Sequence, residues 1–314
     1  MEIWSFVLVK LQQSIRVIVL FVVHDEGSSP GRQGFSMAVA ADDTMVGSIG
    51  GGIMEFKLVE RARKMLSSGD QQILLMEQHH DKESTEHQSG MICSGSQVNV
   101  FITFTKADLL RIDQILEGNP ICMELSAGGM TLREPTAKDT RYQFQYHTDS
   151  DWLYTEQLNK RPVLHIVGGG HVSLALSELM CFLGFYSKVY DDRPELNTIL
   201  QNFFANEKIM VPDYQQLVGR MNLQKEDYVV VMTIGYRTDK IVLQQLLRED
   251  IYYLGMMGSK KKRELLFGEL KEEGFSEQEL AKVYTPIGIE INSITAPEIA
   301  VSIAAEIIEE KNKK

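Results

Sequence analysis

Three groups of residues in this chain have the types and spacing to do chemistry. The first is Gly168-Gly169-Gly170, with Ser173 behind it and Asp191 and Asp192 further on. Gly168 and Gly170 fill the first two positions of a G-x-G-x-x-G/A fingerprint, and Ser173 is small enough for the third, where helix and strand pack closely. Asp191 lies about twenty residues past the second glycine, where an acceptor for ribose hydroxyls belongs. The second group is Gly50-Gly51-Gly52 with Glu55. A triple glycine opening a helix can direct unpaired N–H groups and the positive dipole end at an anion, or it can be only a tight strand-to-helix turn. Glu55 then complements the dipole or accepts hydrogen bonds from a polar ligand. The third is Cys93, in a turn between Gly90 and Gly95. Exposure and nearby backbone N–H groups would lower its pKa and make it a nucleophile or a soft ligand. A small buried apolar residue is the other reading, and the usual one for a free cysteine. His79, His80 and His87 follow no zinc-site spacing and read as a solvated loop.

The elements that must hold these groups can be read from periodicity. Val163 to Val167 is a strand, and Leu174, Leu176, Leu179, Phe182 and Leu183 then recur at helical spacing up to Gly184. Tyr186 to Tyr190 is the next strand and delivers the two acids. Asp227 to Thr233 is almost continuously apolar, as a parallel strand covered on both faces should be. Ligands of open α/β sheets gather at the carboxyl ends of the strands, so Thr233 is expected in the same crevice as Gly168, with Arg237 and Asp239 close behind. The basic start of the helix after Ser259, Lys260 to Arg263, opposes the helix dipole and suits a nearby anion or a solvated patch. Thr295 and Glu298 form a capping box, and Ile299, Ile303 and Ile307 a stripe. The glycine-broken segment before that helix, and the helix itself, are expected to pack back toward the first domain.

Upstream, Met1 to Gln13 reads as a helix and Val17 to Val23 as a buried strand running into a turn-rich loop with Ser28, Ser29, Pro30 and Arg32. Phe56, Val59, Ala62 and Leu66 form the inward face of the helix after Gly52. Ile73 to Met76, Val98 to Phe104, Ile121 to Leu125, Met130 to Arg133 and Tyr142 to Tyr146 are further strands. The fold class is therefore α/β: an N-terminal mixed α/β domain, 1–150, a linker, 151–160, and a Rossmann-like doubly wound parallel-sheet domain, 161–314.

A net charge of −11 argues against nucleic acid and against an anionic membrane surface as partners, since both need a basic face. Three scattered cysteines make no disulfide framework and suit a reducing cytoplasm. The longest apolar run, Ile15 to Val23, is too short to span a bilayer, and no signal peptide is visible.

Four stretches together resemble one family: GSSPGRQGFSM with GSIGGGIMEFKLVERA; ICSGSQVNVFI; HIVGGGHVSLAL with VYDDRPEL; and YLGMMGSKKKRELL with TPIGIEINSITAPEIAVSIAAEII. They resemble the XdhC/CoxI family of accessory proteins for molybdenum hydroxylases such as xanthine dehydrogenase, over nearly the whole chain and in the family's order. The resemblance implies an XdhC/CoxI domain followed by a Rossmann domain. It implies a protein that binds molybdenum cofactor (molybdopterin, a pterin dithiolene with a phosphate), holds it during sulfuration by a cysteine desulfurase, and passes it, chaperone-like, to an apo molybdenum hydroxylase. Cys93 takes the family's cysteine position and becomes a candidate ligand of the cofactor. The loop Gly27 to Arg32 and the turn Gly50 to Gly52 would shape the site, and a homodimer suits such a family. Two positions depart from the pattern: Cys93-Ser94-Gly95 stands for Cys-Gly-Gly, and Thr233-Ile234 for Thr-His. Against a carrier without turnover stand an NAD(P)-dependent oxidoreductase and a dinucleotide-sensing scaffold. Hydride transfer needs a placed acid–base group, and His171, Arg237 and Asp239 form no recognisable set. His171, at a helix start, is better suited to contacting a phosphate.

Overall fold

The computed structural model describes residues 2–79 and 95–313. Cys93, Ser94, His80 and His87 lie outside them. The chain divides into two compact units, Met1–Lys160 and Arg161–Lys314.

The first unit runs α1 (Glu2–Gln12), β1 (Val17–Gly27), β2 (Ser36–Ala40), β3 (Met45–Gly47), α2 (Gly52–Ser68), β4 (Leu74–His79), β5 (Gly95–Phe104), α3 (Leu109–Leu116), β6 (Ile121–Ser126), β7 (Gly129–Arg133), β8 (Tyr142–Thr148) and β9 (Asp151–Leu158). Its larger sheet has the order β3-β2-β1-β5-β4, antiparallel throughout, and the smaller the order β7-β6-β9-β8. Both faces of β1 are covered, which is why it reads as an unbroken apolar run. Ile18, Leu20 and Val22 pack with Leu58, Ala62 and Met65 of α2. Val17, Val19 and Phe21 pack with Trp4 and Leu11 of α1 and with Met123, Trp152 and Tyr154 of the smaller sheet. Phe56, expected on the inner face of α2, is exposed; Met54 and Leu58 turn inward with Val59, Ala62 and Leu66. The segment expected as a linker, 151–160, instead contains β9, hydrogen-bonded between β6 and β8. Its polar residues hide two buried aromatics at alternate positions, Trp152 and Tyr154.

The second unit runs β10 (Val163–Val167), α4 (His171–Phe182), β11 (Tyr186–Asp191), α5 (Asn197–Leu200), β12 (Glu207–Met210), β13 (Tyr228–Val231), α6 (Tyr236–Leu246), β14 (Tyr253–Met256), α7 (Lys260–Glu272), α8 (Glu277–Leu280), β15 (Val283–Tyr284) and α9 (Ala296–Asn312). All six strands are parallel, in the order β12-β11-β10-β13-β14-β15. Counted within the unit this is 3-2-1-4-5-6, with the strand order reversing between β10 and β13, where a ligand crevice belongs. α4 and α9 supply the core of one face, through Leu176, Met180, Ile303 and Ile307, and α6 and α7 the other, through Val242, Leu246, Leu266 and Leu270. Ile303 and Ile307 of the α9 stripe are buried in the core of the second unit, with Ile299 packed against it. Among the described residues no helix is long and apolar enough to cross a membrane.

Candidate functional site

In the first unit three backbone segments meet at the carboxyl end of β1. A Cβ on Gly95 would lie 2.6 Å from the Glu26 carbonyl oxygen and within 2.9 Å of the amide nitrogens of Ser28 and Ser29. A Cβ on Gly31 would lie 2.3 Å from the Ile49 carbonyl oxygen, and one on Gly50 would lie 2.5 Å from the Gly31 nitrogen. The loop Gly27–Arg32, the turn around Gly50 and the start of β5 thus pack backbone on backbone, at positions where a side chain has no room.

Beneath them runs a chain of buried polar side chains. The Ser29 hydroxyl donates to Gln97 Oε1 (3.0 Å) and Gln97 Nε2 donates to Asn99 Oδ1 (3.0 Å). Asn99 Nδ2 in turn donates to Gln78 Oε1 (3.5 Å), and all four residues are buried. Unpaired, these amides would each cost a few kcal/mol to bury, about 1–3, so the chain fixes the loop to β5 and β4. Gln78, Gln97 and Asn99 were not among the expected site residues. Their signal is the alternation Gln97-Val98-Asn99-Val100, polar at every second position of a strand with two covered faces. Ser28 lies on the exposed side of the loop. Arg32 donates through Nη1 to Asp25 (2.8 Å) and to the Gly27 carbonyl (3.2 Å), and its side chain stays 55% exposed.

The turn before α2 is closed by its own carboxylate. Glu55 Oε2 accepts from the Ser48 hydroxyl (2.6 Å), the Ile49 N–H (2.9 Å) and the Gly51 N–H (3.0 Å). Burial opposes ionisation of Glu55, but these three donors outweigh it and hold its pKa below the ordinary carboxylate value. Gly50, Gly51 and Gly52 all have positive φ, 124°, 74° and 69°. Of the two readings of this triplet the structure has the tight turn. A second anion there would face Glu55 and find two of the turn's N–H groups already taken.

In the second unit Gly168 has φ 108°, and a Cβ on it would lie 2.4 Å from the Met232 carbonyl oxygen, so β10 and β13 can close at the crevice only with glycine there. Gly170 caps α4 in extended conformation, without a side-chain cap, and a Cβ there would meet nothing within 4 Å. His171 is exposed in the first turn, and Ser173 is fully buried with its hydroxyl unpartnered among the described residues. The mouth of α4 therefore offers open space and undirected helix N–H groups, which suits a phosphate.

Asp191 faces inward rather than out. Oδ2 accepts from the Gly169 N–H (2.6 Å) and Arg193 Nη2 (2.7 Å), and Oδ1 from the Arg193 backbone N–H (2.9 Å) and Nε (2.8 Å). Burial opposes its ionisation, yet the guanidinium and the two backbone donors keep its pKa below the ordinary value. A carboxylate has about four lone-pair sites, so a ribose hydroxyl reaches Asp191 only by displacing Arg193. Asp192, its side chain 47% exposed and 3.6 Å from Arg193 Nε, is the outward acid. Thr198 of α5 donates to the Gly169 carbonyl (2.5 Å), so both polar groups of the middle glycine are satisfied within the protein.

At the end of β13 the Thr233 hydroxyl (2.5 Å) and N–H (3.2 Å) donate to Asp239 Oδ1. The other Asp239 oxygen pairs with the Lys262 ammonium, which also donates to the Met257 carbonyl (3.2 Å). Asp239 is fully buried, so the lysine at the start of α7 is spent on an internal acid. Thr233 is turned toward Asp239, and Asp239 is sealed from the crevice as an acid–base group. Among the described residues, Cys122 is buried in β6, where burial pushes its thiol pKa up, and Cys181 is exposed; no cluster of metal-binding side chains forms among them.

Two family models match the chain: the XdhC and CoxI family over residues 11–77 and the XdhC Rossmann domain over residues 164–307. "Uncharacterized protein YqeB" of Escherichia coli K12 is 26% identical over 293 residues, which are 93% of this chain and 43% of that protein. A probable xanthine dehydrogenase component of Bacillus subtilis 168 is 26% identical over 163 residues, 51% of this chain and 46% of that one. The chain thus spans less than half the length of these relatives. A crystal structure of a xanthine dehydrogenase from Bacillus halodurans has the same fold, with a TM-score of 0.69 at 24% identity, covering 99% of this chain and 96% of that one.

Proposed function

The chain belongs to the XdhC and CoxI family, and on that premise we propose that it is an accessory protein of a xanthine dehydrogenase-type molybdenum hydroxylase. It binds molybdenum cofactor, holds it while a cysteine desulfurase supplies sulfur, and delivers it to the apo-enzyme, without turnover of its own. The observation that carries this reading is the packing of Gly31, Gly50 and Gly95, which pins the loop Gly27–Arg32 to the start of β5. Gly95 follows Cys93, the candidate ligand, by two residues in the sequence. When bound, the cofactor supplies a dithiolene-held molybdenum for the client's chemistry.

The residues divide the work by their chemistry. A cysteine thiolate is a soft ligand suited to the metal or its sulfur, and Cys93 supplies it. Arg32 is the loop's partly exposed cation and engages its neighbours through Nη1, leaving guanidinium edge for a phosphate. The Gly50–Gly52 turn does not fit a phosphate, because Glu55 occupies it; its role is to brace the loop. A second reading applies to the second unit. The open mouth of α4 favours a dinucleotide such as NAD(P), as a signal rather than a hydride source, since Asp239 is sealed.

Transfer is the test. Chain loaded with cofactor is mixed with a cofactor-free xanthine dehydrogenase-type enzyme, and hydroxylase activity is followed. A carrier restores activity faster than free cofactor does. Equal rates with and without the chain would remove the reading.

A further inference from the structure

The two faces of the second unit's sheet differ in what their helices show to solvent. α6 and α7 turn charge outward: Lys261, Glu264, Lys271 and Glu272 of α7 are exposed, and Lys240 of α6 pairs with Glu269 and Glu273 of α7. That is the ordinary division for a helix with one buried stripe. α4 and α9, on the other face, are apolar on both sides. Their inward residues, among them Leu176 and Met180 of α4 and Ile303 and Ile307 of α9, fill the core. Their outward sides carry Phe182, 86% exposed, and Pro297, Val301 and Ile308, with Val301 50% exposed. We infer that the outer seam between α4 and α9 is a docking surface for a protein partner that presents a basic amphipathic helix.

The spacing puts these residues on one strip. Pro297, Val301 and Ile308 are four and seven residues apart and share one side of α9. Glu178 and Phe182, four apart, share one side of α4. The helices lie side by side, because the small Ala300 and Ala304 of α9 are buried in the cluster against which Ala175 and Leu179 of α4 pack. Lys311, near the end of α9, lies over the Phe185 ring just past the end of α4 (5.6 Å). The two helices therefore end level, and Ile308 comes at the height of Phe182. A helix apolar all round is ordinarily a buried one, and a contiguous exposed apolar strip marks an interaction surface.

The charges beside the strip select what covers it. Glu178, Glu298 and Glu309 are exposed along its edges. α4 contains no Lys or Arg, and the cation of α9, Lys311, is the one placed over Phe185. A second copy of the chain would bring the same three carboxylates against their own kind, and an anionic lipid surface would be repelled. A helix whose apolar stripe is flanked by Lys or Arg meets both parts. Its stripe seats along Phe182, Val301 and Ile308, and its cations meet the glutamates, as in helix-in-groove recognition. The inference stands apart from the carrier reading and from the nucleotide reading, since Gly170 and His171 lie at the opposite end of α4 from Phe182.

The full chain is titrated with two fluorescein-labelled amphipathic helices, one of leucine and lysine and one of the same pattern with glutamate for lysine, and binding is followed by anisotropy. Phe182→Ser and Val301→Ser probe the strip. Leu265→Ser, at an exposed leucine of α7, controls for general attraction to a chain of net charge −11. Unfolding midpoints check that each variant is folded. The leucine–lysine helix should bind about tenfold more tightly than the leucine–glutamate helix, and each strip variant should lose about tenfold while Leu265→Ser binds as wild type does. Equal binding of the two helices, binding of neither, or wild-type affinity in both strip variants would overturn the inference. So would a wild-type dimer in sedimentation that Val301→Ser dissociates, because the strip would then belong to a second copy.

Discussion

Each unit opens a helix on three consecutive glycines after a strand, and the two turns are put to opposite uses. Before α2, Glu55 sits four residues past Gly51, within the helix's own first turn, and its carboxylate takes the Ile49 and Gly51 N–H groups. Before α4, the acid is Asp191, brought in from the next strand, and it takes the N–H of the middle glycine only. Gly170 and the helix start remain open. The glycines are equally permissive in both; the position of the carboxylate decides whether a turn is closed by the protein or left for a ligand.

The sharpest break in that contrast lies within the second turn. Gly168→Ala combines a positive φ with a Cβ 2.4 Å from the Met232 carbonyl oxygen, and should destabilise the second unit by about 3 kcal/mol or more. Denaturant unfolding of the variant checks this, and wild-type stability would contradict the fit between β10 and β13. Next in size is Glu55→Gln, which keeps the shape and removes the charge. It should cost about 1 kcal/mol, discounted for a carboxylate only partly withdrawn from water, and amide exchange at Ile49 and Gly51 should quicken. Glu55's folded pKa lies below its ordinary value of 4.5. Its contribution is therefore present above pH 4.5 and is lost as pH falls through the depressed value. In Glu55→Gln this part of the acid sensitivity should vanish; an unchanged acid limb would remove Glu55 from the turn's stability.

Gly170→Ala should have the smallest effect on folding, under about 1 kcal/mol for a helix cap, because its φ of −71° suits any residue. Its added methyl enters the open space at α4. If a nucleotide phosphate belongs there, NADH binding should weaken about tenfold while the unfolding midpoint barely moves; unchanged affinity would leave the mouth of α4 without that ligand.

In the second unit β10, β11 and β13 were legible in the sequence, because central parallel strands are short apolar runs, and the glycine turn after β10 marks where the first one ends. The first unit was less so. β9 carries polar residues on either side of Trp152 and Tyr154, Asp151 before them and Thr155, Glu156 and Gln157 after, and so reads as a linker; the Gln97–Asn99–Gln78 chain spans β5 and β4, a pairing that no local pattern reveals. The candidate site residues were chosen by type and spacing, which carry no information about their partners. Arg193 on Asp191, Asp239 on Thr233 and Lys262 on Asp239 are contacts made only when the folded chain brings these side chains together, and they decide which groups still face a ligand.

Cofactor content is the measurement that bears most directly on the carrier. Purified chain, after exposure to molybdenum cofactor and gel filtration, is denatured, oxidised and scanned for pterin fluorescence, in wild type and in Cys93→Ala. Pterin emission from wild type that falls sharply in the variant is the result expected of a carrier that uses Cys93. A wild-type chain that retains no pterin yet binds NAD(P)H tightly would contradict it.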